Sequence, residues 1–244
     1  MRLCAKILLA VLFFCGISEA QIKQRSQNKV FYTGVGYKFV LFTDDEARSA
    51  YPFFDVTNQA FVKELGGFFG MVLNERVAFE IAPSYMFSND YGSDDSEADA
   101  GGFYFTENGV SRFYVPSDAK MYGIPFNARV KYFPFGKDYG SAFNLLYFGA
   151  GAGPVYLSEE MTQRVYTDEG RLDYLGVGQY ADDFWTVNFE AIVGIATVSK
   201  FGIGFEMSYR FIPLGSAAGT KPLITSIANN FNSFNLAANV IYKF

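Results

Sequence analysis

The feature that most constrains this chain is a period-two alternation of apolar and small or polar residues, sustained in segments longer than an ordinary soluble strand. In 76–88, Val77, Phe79, Ile81, Pro83, Tyr85 and Phe87 share one face, while Ala78, Glu80, Ala82, Ser84 and Met86 share the other. Trp185, Val187, Phe189, Ala191, Val193 and Ile195 repeat the pattern against Thr186, Asn188, Glu190, Gly194 and Ala196. Ile203, Phe205, Met207, Tyr209 and Phe211 repeat it again against Gly202, Gly204, Glu206, Ser208 and Arg210. Alternation predicts strands at about 29–42, 61–73, 76–88, 120–134, 141–156, 184–197, 201–213 and 232–244. Beyond residue 20 no window of 18 apolar residues remains, so helical membrane spans are not expected.

Three observations favour lipid rather than a protein core as the partner of the apolar face. The segments are long enough for the roughly 9–11 residues that a strand needs to cross hydrocarbon. The opposite face carries Gly, Ala, Ser and Asn with isolated charges, which suits a narrow lumen better than a wetted surface. Aromatics close the apolar face at Tyr85, Phe87, Trp185, Tyr209 and Phe211, where an interfacial girdle belongs. The connections agree. Those at Asn74-Glu75, 135–140 and 198–200 are short, whereas 43–60, 89–119, 157–183 and 214–231 are long. Strict alternation of short turns and long loops is the asymmetry of a membrane barrel. The expected fold is therefore all-β, an eight-stranded antiparallel transmembrane up-and-down β-barrel over 29–244. A soluble secreted β-barrel that binds an apolar ligand is the competing fold, because it too would alternate.

The N-terminus opens with Arg2 and Lys6, an apolar run from Ile7 to Cys15, and Ser18-x-Ala20. This reads as a signal peptide over 1–20 cut after Ala20, with 21–28 as a short periplasmic segment. An uncleaved anchor would need a longer run, and Leu12-Phe13-Phe14 before Cys15 does not resemble a lipobox.

Composition excludes several kinds of chemistry. The only cysteines, Cys4 and Cys15, fall in the signal, and there is no histidine. Disulfide scaffolds, thiolate metal sites and His-dependent catalysis are therefore not expected of the mature chain. Of 20 basic and 25 acidic residues, the signal holds two and one, which leaves 18 and 24 and a net charge of −6. That balance argues against nucleic acid as a partner. With 28 Phe, 17 Tyr and 24 Gly, the chain is composed like a sheet whose rings meet lipid or core.

At the C-terminus Phe234, Leu236, Ala238, Val240, Tyr242 and Phe244 share one face and end on an aromatic. This resembles the C-terminal signature strand of bacterial outer-membrane β-barrel proteins. Gly123-Ile124-Pro125-Phe126 with Lys131-Tyr132-Phe133, and Tyr147-Phe148-Gly149-Ala150-Gly151-Ala152-Gly153-Pro154, resemble a central hairpin of the small barrels of that family. The resemblance covers nearly all of the mature chain and departs from the family in the long acidic connection 89–119. It implies the bacterial outer membrane as location, outer-membrane lipid and lipopolysaccharide as surroundings, and recognition of Tyr242 and Phe244 by the barrel-assembly machinery.

Eight strands leave an interior that side chains fill. Glu80, Arg129, Lys131, Glu190, Glu206 and Arg210 are expected there as a lumen ionic network, with Lys38 and Glu64 as further candidates. A charge buried alone is costly, so pairing is demanded. A packed lumen predicts an envelope-structural or surface-interaction role for a monomer. Transport through a small or gated path is the alternative. No catalytic site, metal site or cofactor is predicted. Asp90, Asp94, Asp95, Glu97, Asp99 and Glu107 in the third connection, and Glu159, Glu160, Asp168, Glu169, Asp173, Asp182 and Asp183 in the fifth, read as solvated acidic loops.

Overall fold

The computed structural model describes residues 29–44, 48, 61–73, 76–89, 91–92, 101–135, 146–197, 200–214 and 221–244. The signal segment, the Asn74-Glu75 turn, residues 141–145 and the acidic residues Asp90, Asp94, Asp95, Glu97 and Asp99 lie outside them.

Ten strands follow one another: β1 (Lys29–Phe42), β2 (Lys63–Leu73), β3 (Val77–Phe87), β4 (Tyr91–Gly92), β5 (Phe103–Glu107), β6 (Val110–Tyr132), β7 (Leu146–Tyr166), β8 (Tyr174–Ala196), β9 (Phe201–Pro213) and β10 (Asn230–Lys243). A single helical turn, α1 (Ile224–Ile227), precedes β10. Antiparallel pairing runs β3-β2-β1-β10-β9-β8-β7-β6, and β6 pairs back to β3. Eight strands thus close a ring and leave no edge within it, as a backbone in hydrocarbon requires. Thr33 faces Tyr242 and Phe39 faces Leu236, so the first and last strands of the ring are zipped together.

Every ring strand turns the same kind of face outward. β9 alternates exposed and buried from Phe201 to Ile212. Phe205 is 54% exposed and Val35 60%, while Glu206 and Arg210 on the other face are buried. A water-soluble barrel hides its rings and shows its charges. Here a band of charges is inside and an apolar face rich in rings is outside, the inverted arrangement that lipid stabilises.

The strands depart from their expected bounds on one side. β6, β7 and β8 run to 23, 21 and 23 residues, about ten beyond the rim. What reads in sequence as loops 89–119 and 157–183 is largely hairpin. β5 and β6 are joined by Asn108-Gly109, both at positive φ (51° and 79°), the tight turn that Asn-Gly favours. Glu107 faces Val110 across it. β5 to β8 thus rise from the barrel as a four-stranded sheet.

The interior is stratified. Toward the short turns, Tyr32, Phe68, Val72, Phe133, Tyr147, Ile192 and Ile241 pack together. Toward the long connections, Met86, Tyr114, Met121, Leu157, Met161, Ile212, Leu223 and Phe231 form a second apolar layer. Segment 221–229 helps to stopper this end. Gln163 Nε2 donates to the Pro222 carbonyl, and the Thr225 amide lies 3.4 Å from Glu159 Oε2. Glu159, expected on a wet loop, is therefore buried, because β7 continues past it and turns it inward.

Candidate functional site: the charged lumen

Between the two apolar layers lies a band of charge. Lys38 (β1), Glu64 (β2), Glu80 (β3), Arg129 and Lys131 (β6), Glu190 (β8), and Glu206 and Arg210 (β9) are all buried. All six of the expected lumen residues are in this band, together with the two further candidates. Four acids and four bases balance one another.

They make one connected network. Lys38 Nζ lies 2.7 Å from Glu64 Oε1. Arg210 holds the same carboxylate through Nη1 and Nη2 at 2.7 and 3.1 Å, and reaches Glu190 at 4.0 Å. Arg129 clamps Glu190 through Nε and Nη2, the two-pronged geometry that favours guanidinium over ammonium. Its Nη1 reaches Glu206 at 3.5 Å and Glu80 at 4.0 Å. Lys131 Nζ bridges Glu80 and Glu206 at 2.7 and 3.1 Å. The Tyr32 and Tyr147 hydroxyls donate to Glu80 (2.8 Å) and Glu206 (2.9 Å) from the aromatic layer below.

The Gly-x-Gly run of β7 makes room for this. Arg129 and Glu190 both lie beside Gly151 in register, one on each neighbouring strand, and their side chains meet above it. A Cβ on Gly151 would sit 2.6 Å from Glu190 Oε1 and 2.9 Å from Arg129 Cγ. Gly151→Ala is therefore expected to cost about 1–3 kcal/mol through overpacking, read as a lower urea midpoint for the barrel refolded in liposomes. An unchanged midpoint would mean that the clamp is not where the geometry puts it.

Among the described residues, a cavity of about 40 Å³ between Tyr32, Glu80, Lys131, Tyr147 and Ile241 lies beside the band, room for about one or two waters. Among the described residues, no group of three or more carboxylates converges as a metal site would require.

The exterior carries two runs of aromatics. Phe87, Tyr85, Tyr122, Tyr156 and Trp185 follow one another from β3 to β8 at centroid separations of 5.4 to 6.3 Å, a belt on the long-connection side. Tyr209 and Phe211 are also exposed, on β9. At the other end Phe201, Tyr242, Phe244, Phe31 and Phe69 make a second run at 4.8 to 6.3 Å. Sequence alone marks Tyr85, Phe87 and Trp185 but not Tyr122 and Tyr156, which extend the outward faces of β6 and β7.

No protein-family model matches the chain, and no curated protein matches it. Among solved structures it is similar to Neisserial surface protein A, with 14% identity and a TM-score of 0.42 over 88% of this chain and 97% of that one. It is also similar to Ail, the attachment invasion locus protein of Yersinia pestis, at 10% identity and a TM-score of 0.39 over 89% and 98%. The N-terminal β-barrel domain of OprF from Pseudomonas aeruginosa matches at 13% identity and a TM-score of 0.35 over 89% and 100%. Likeness at this level concerns the fold alone. A closed sheet with a band of charge inside and an apolar face outside suits lipid around it, and the chain is accordingly an eight-stranded antiparallel β-barrel of the transmembrane kind.

Proposed function

We propose that this protein is a sealed integral barrel of the outer membrane whose work is done on the outside, as an envelope-structural or surface-interaction element. The observation that carries this reading is the contrast between its two halves. The lumen is filled by a charge-balanced network between two apolar layers, while β5 to β8 extend far past the rim at the cost of ordering dozens of residues. Strands that only lined a membrane wall would stop at the girdle.

Lipid and lipopolysaccharide are the surroundings this exterior suits. The exposed Phe244, packed beside Tyr242 and Phe31, is the surface we assign to the barrel-assembly machinery. The protein is taken to act as a monomer without enzymatic activity.

Planar-bilayer recording of the refolded chain tests the reading. No stable single-channel steps are expected, because ions would have to break the Arg129, Lys131 and Arg210 pairings to pass. Reproducible steps would instead favour the transport reading.

A further inference from the structure

The aromatic belt on the long-connection side changes character where it crosses β6 to β8. Ile124, Tyr156 and Trp185 are neighbours in register. One outward-facing step beyond them stand Tyr122, Ser158 and Asp183, and one step further Lys120, Glu160 and Ala181. Trp185 is 66% exposed. Its ring lies 5.4 Å from that of Tyr156, which lies 6.0 Å from that of Tyr122. The ring planes are tilted by 54° and 46°, so their faces open in more than one direction. Asp183 is exposed beside them. The Tyr156 hydroxyl donates to its carboxylate and also contacts the Tyr122 hydroxyl.

The sign of the charge at this depth selects what can sit there. Headgroups lie at the height of an aromatic belt, where lysine and arginine commonly snorkel toward the polar layer. In this sector the first charged side chain past the rings is an acid. Lys120 lies one step farther out and faces Glu160 in register. Among the described residues, no lysine or arginine is paired with Asp183. A bare carboxylate repels phosphate and attracts a cation, and the π faces beside it attract the same cation. Carboxylate and phenol oxygens also accept hydrogen bonds. A primary ammonium has N–H groups to give them, and a quaternary ammonium has none.

We propose that Tyr122, Tyr156, Asp183 and Trp185 form a binding site for the primary ammonium of a membrane-lipid headgroup, set against the Asp183 carboxylate and over the Tyr156 and Trp185 rings. The proposal rests on the integral-barrel reading and names the headgroup chemistry that this part of the rim selects. A lipid is the occupant because the rings pass without a break into the lipid-facing exterior at Ile124 and Val187, where the chains of the same molecule would lie. A headgroup that carries phosphate but no amine meets only the repulsion.

Trp185 is the only tryptophan of the chain, so its fluorescence reports on the site directly. The test uses the full mature barrel, refolded in a neutral maltoside detergent and titrated with short-chain phosphatidylethanolamine, phosphatidylcholine and phosphatidylglycerol. Phosphatidylethanolamine is expected to shift the Trp185 emission saturably and to bind about tenfold more tightly than phosphatidylglycerol, with phosphatidylcholine between them. Asp183→Asn keeps the shape of the side chain and removes its charge. It is expected to lower phosphatidylethanolamine to the affinity of phosphatidylglycerol, with heat-modifiable migration on gels unchanged. Equal affinity for the three lipids, or an Asp183→Asn barrel that binds as its parent does, would overturn the proposal. Phosphatidylcholine binding as tightly as phosphatidylethanolamine would also overturn it, since the rings alone would then suffice. Glycerophosphoethanolamine, the same headgroup without chains, binding as tightly as the lipid would overturn the lipid assignment and make a soluble amine the ligand. Channel steps in the planar bilayer with the headgroup order intact would strike the sealed-barrel reading alone. A silent barrel without that order would strike this proposal alone.

Discussion

Arg129→Met is expected to cost the barrel about 3–5 kcal/mol, read from urea unfolding of the protein refolded in liposomes. The magnitude follows from position. Arg129 clamps Glu190 and lies within 4.0 Å of Glu80 and 3.5 Å of Glu206, so it touches three of the four acids in the band. Its loss leaves four carboxylates facing three cations in a band closed off from water above and below. The penalty is mostly the uncompensated charge left behind, rather than the worth of the bonds removed.

That origin makes a second variant informative. Arg129→Met with Glu190→Leu restores a balance of three acids and three bases and replaces a buried pair by apolar volume. It is expected to recover most of the loss, since such replacements are often neutral. A double variant as unstable as the single would show that the clamp itself holds β6 to β8. A single variant costing less than about 1 kcal/mol would mean that water reaches the band.

How far this was legible in the sequence depends on what each residue had to know. Strand identity and facing follow from period two, a local property, so Glu80, Arg129, Glu190, Glu206 and Arg210 could be turned inward residue by residue. Partners could not be read the same way. Lys38 and Glu64 are neighbours in register and do pair. Arg210, though, is in register with Glu190 and yet makes its short contacts with Glu64, across β10 and β1. Arg129 is in register with Glu80 but clamps Glu190 over Gly151. Side chains long enough to cross a narrow lumen choose partners by the curvature of the ring, which no single strand encodes.

The projecting sheet is hidden in the sequence for another reason. Its strands change what they alternate against. Within the barrel β7 shows Ala and Phe to the outside, but past Tyr156 it shows Glu160, Thr162 and Arg164, and the lipid-type signal fades although the ladder continues. One local signal was available in Asn108-Gly109, whose backbone preference marks a hairpin turn without regard to burial. The apolar stopper had no such mark. Leu214, Leu223 and Phe231 are brought together by a connection that has no repeating pattern.

Met207→Arg tests the face on which the whole assignment depends. Met207 is the central residue of β9, and its side chain is exposed between Val193 on one strand and Leu236 on the other. If that face meets hydrocarbon, an arginine near the midplane is expected to cost about 2–4 kcal/mol. Phe211→Arg, four residues toward the rim, should cost only about 0–1 kcal/mol from depth, apart from the lost ring. A surface exposed to water has no such gradient, and an exposed Met→Arg there would change stability by about 0.5 kcal/mol or less. The depth dependence therefore separates lipid from water where exposure alone does not. Refolding both variants in liposomes and comparing urea midpoints measures it. A flat profile would place the rings of β8, β9 and β10 in water, where a band of bare aromatics this broad would drive the chain to associate.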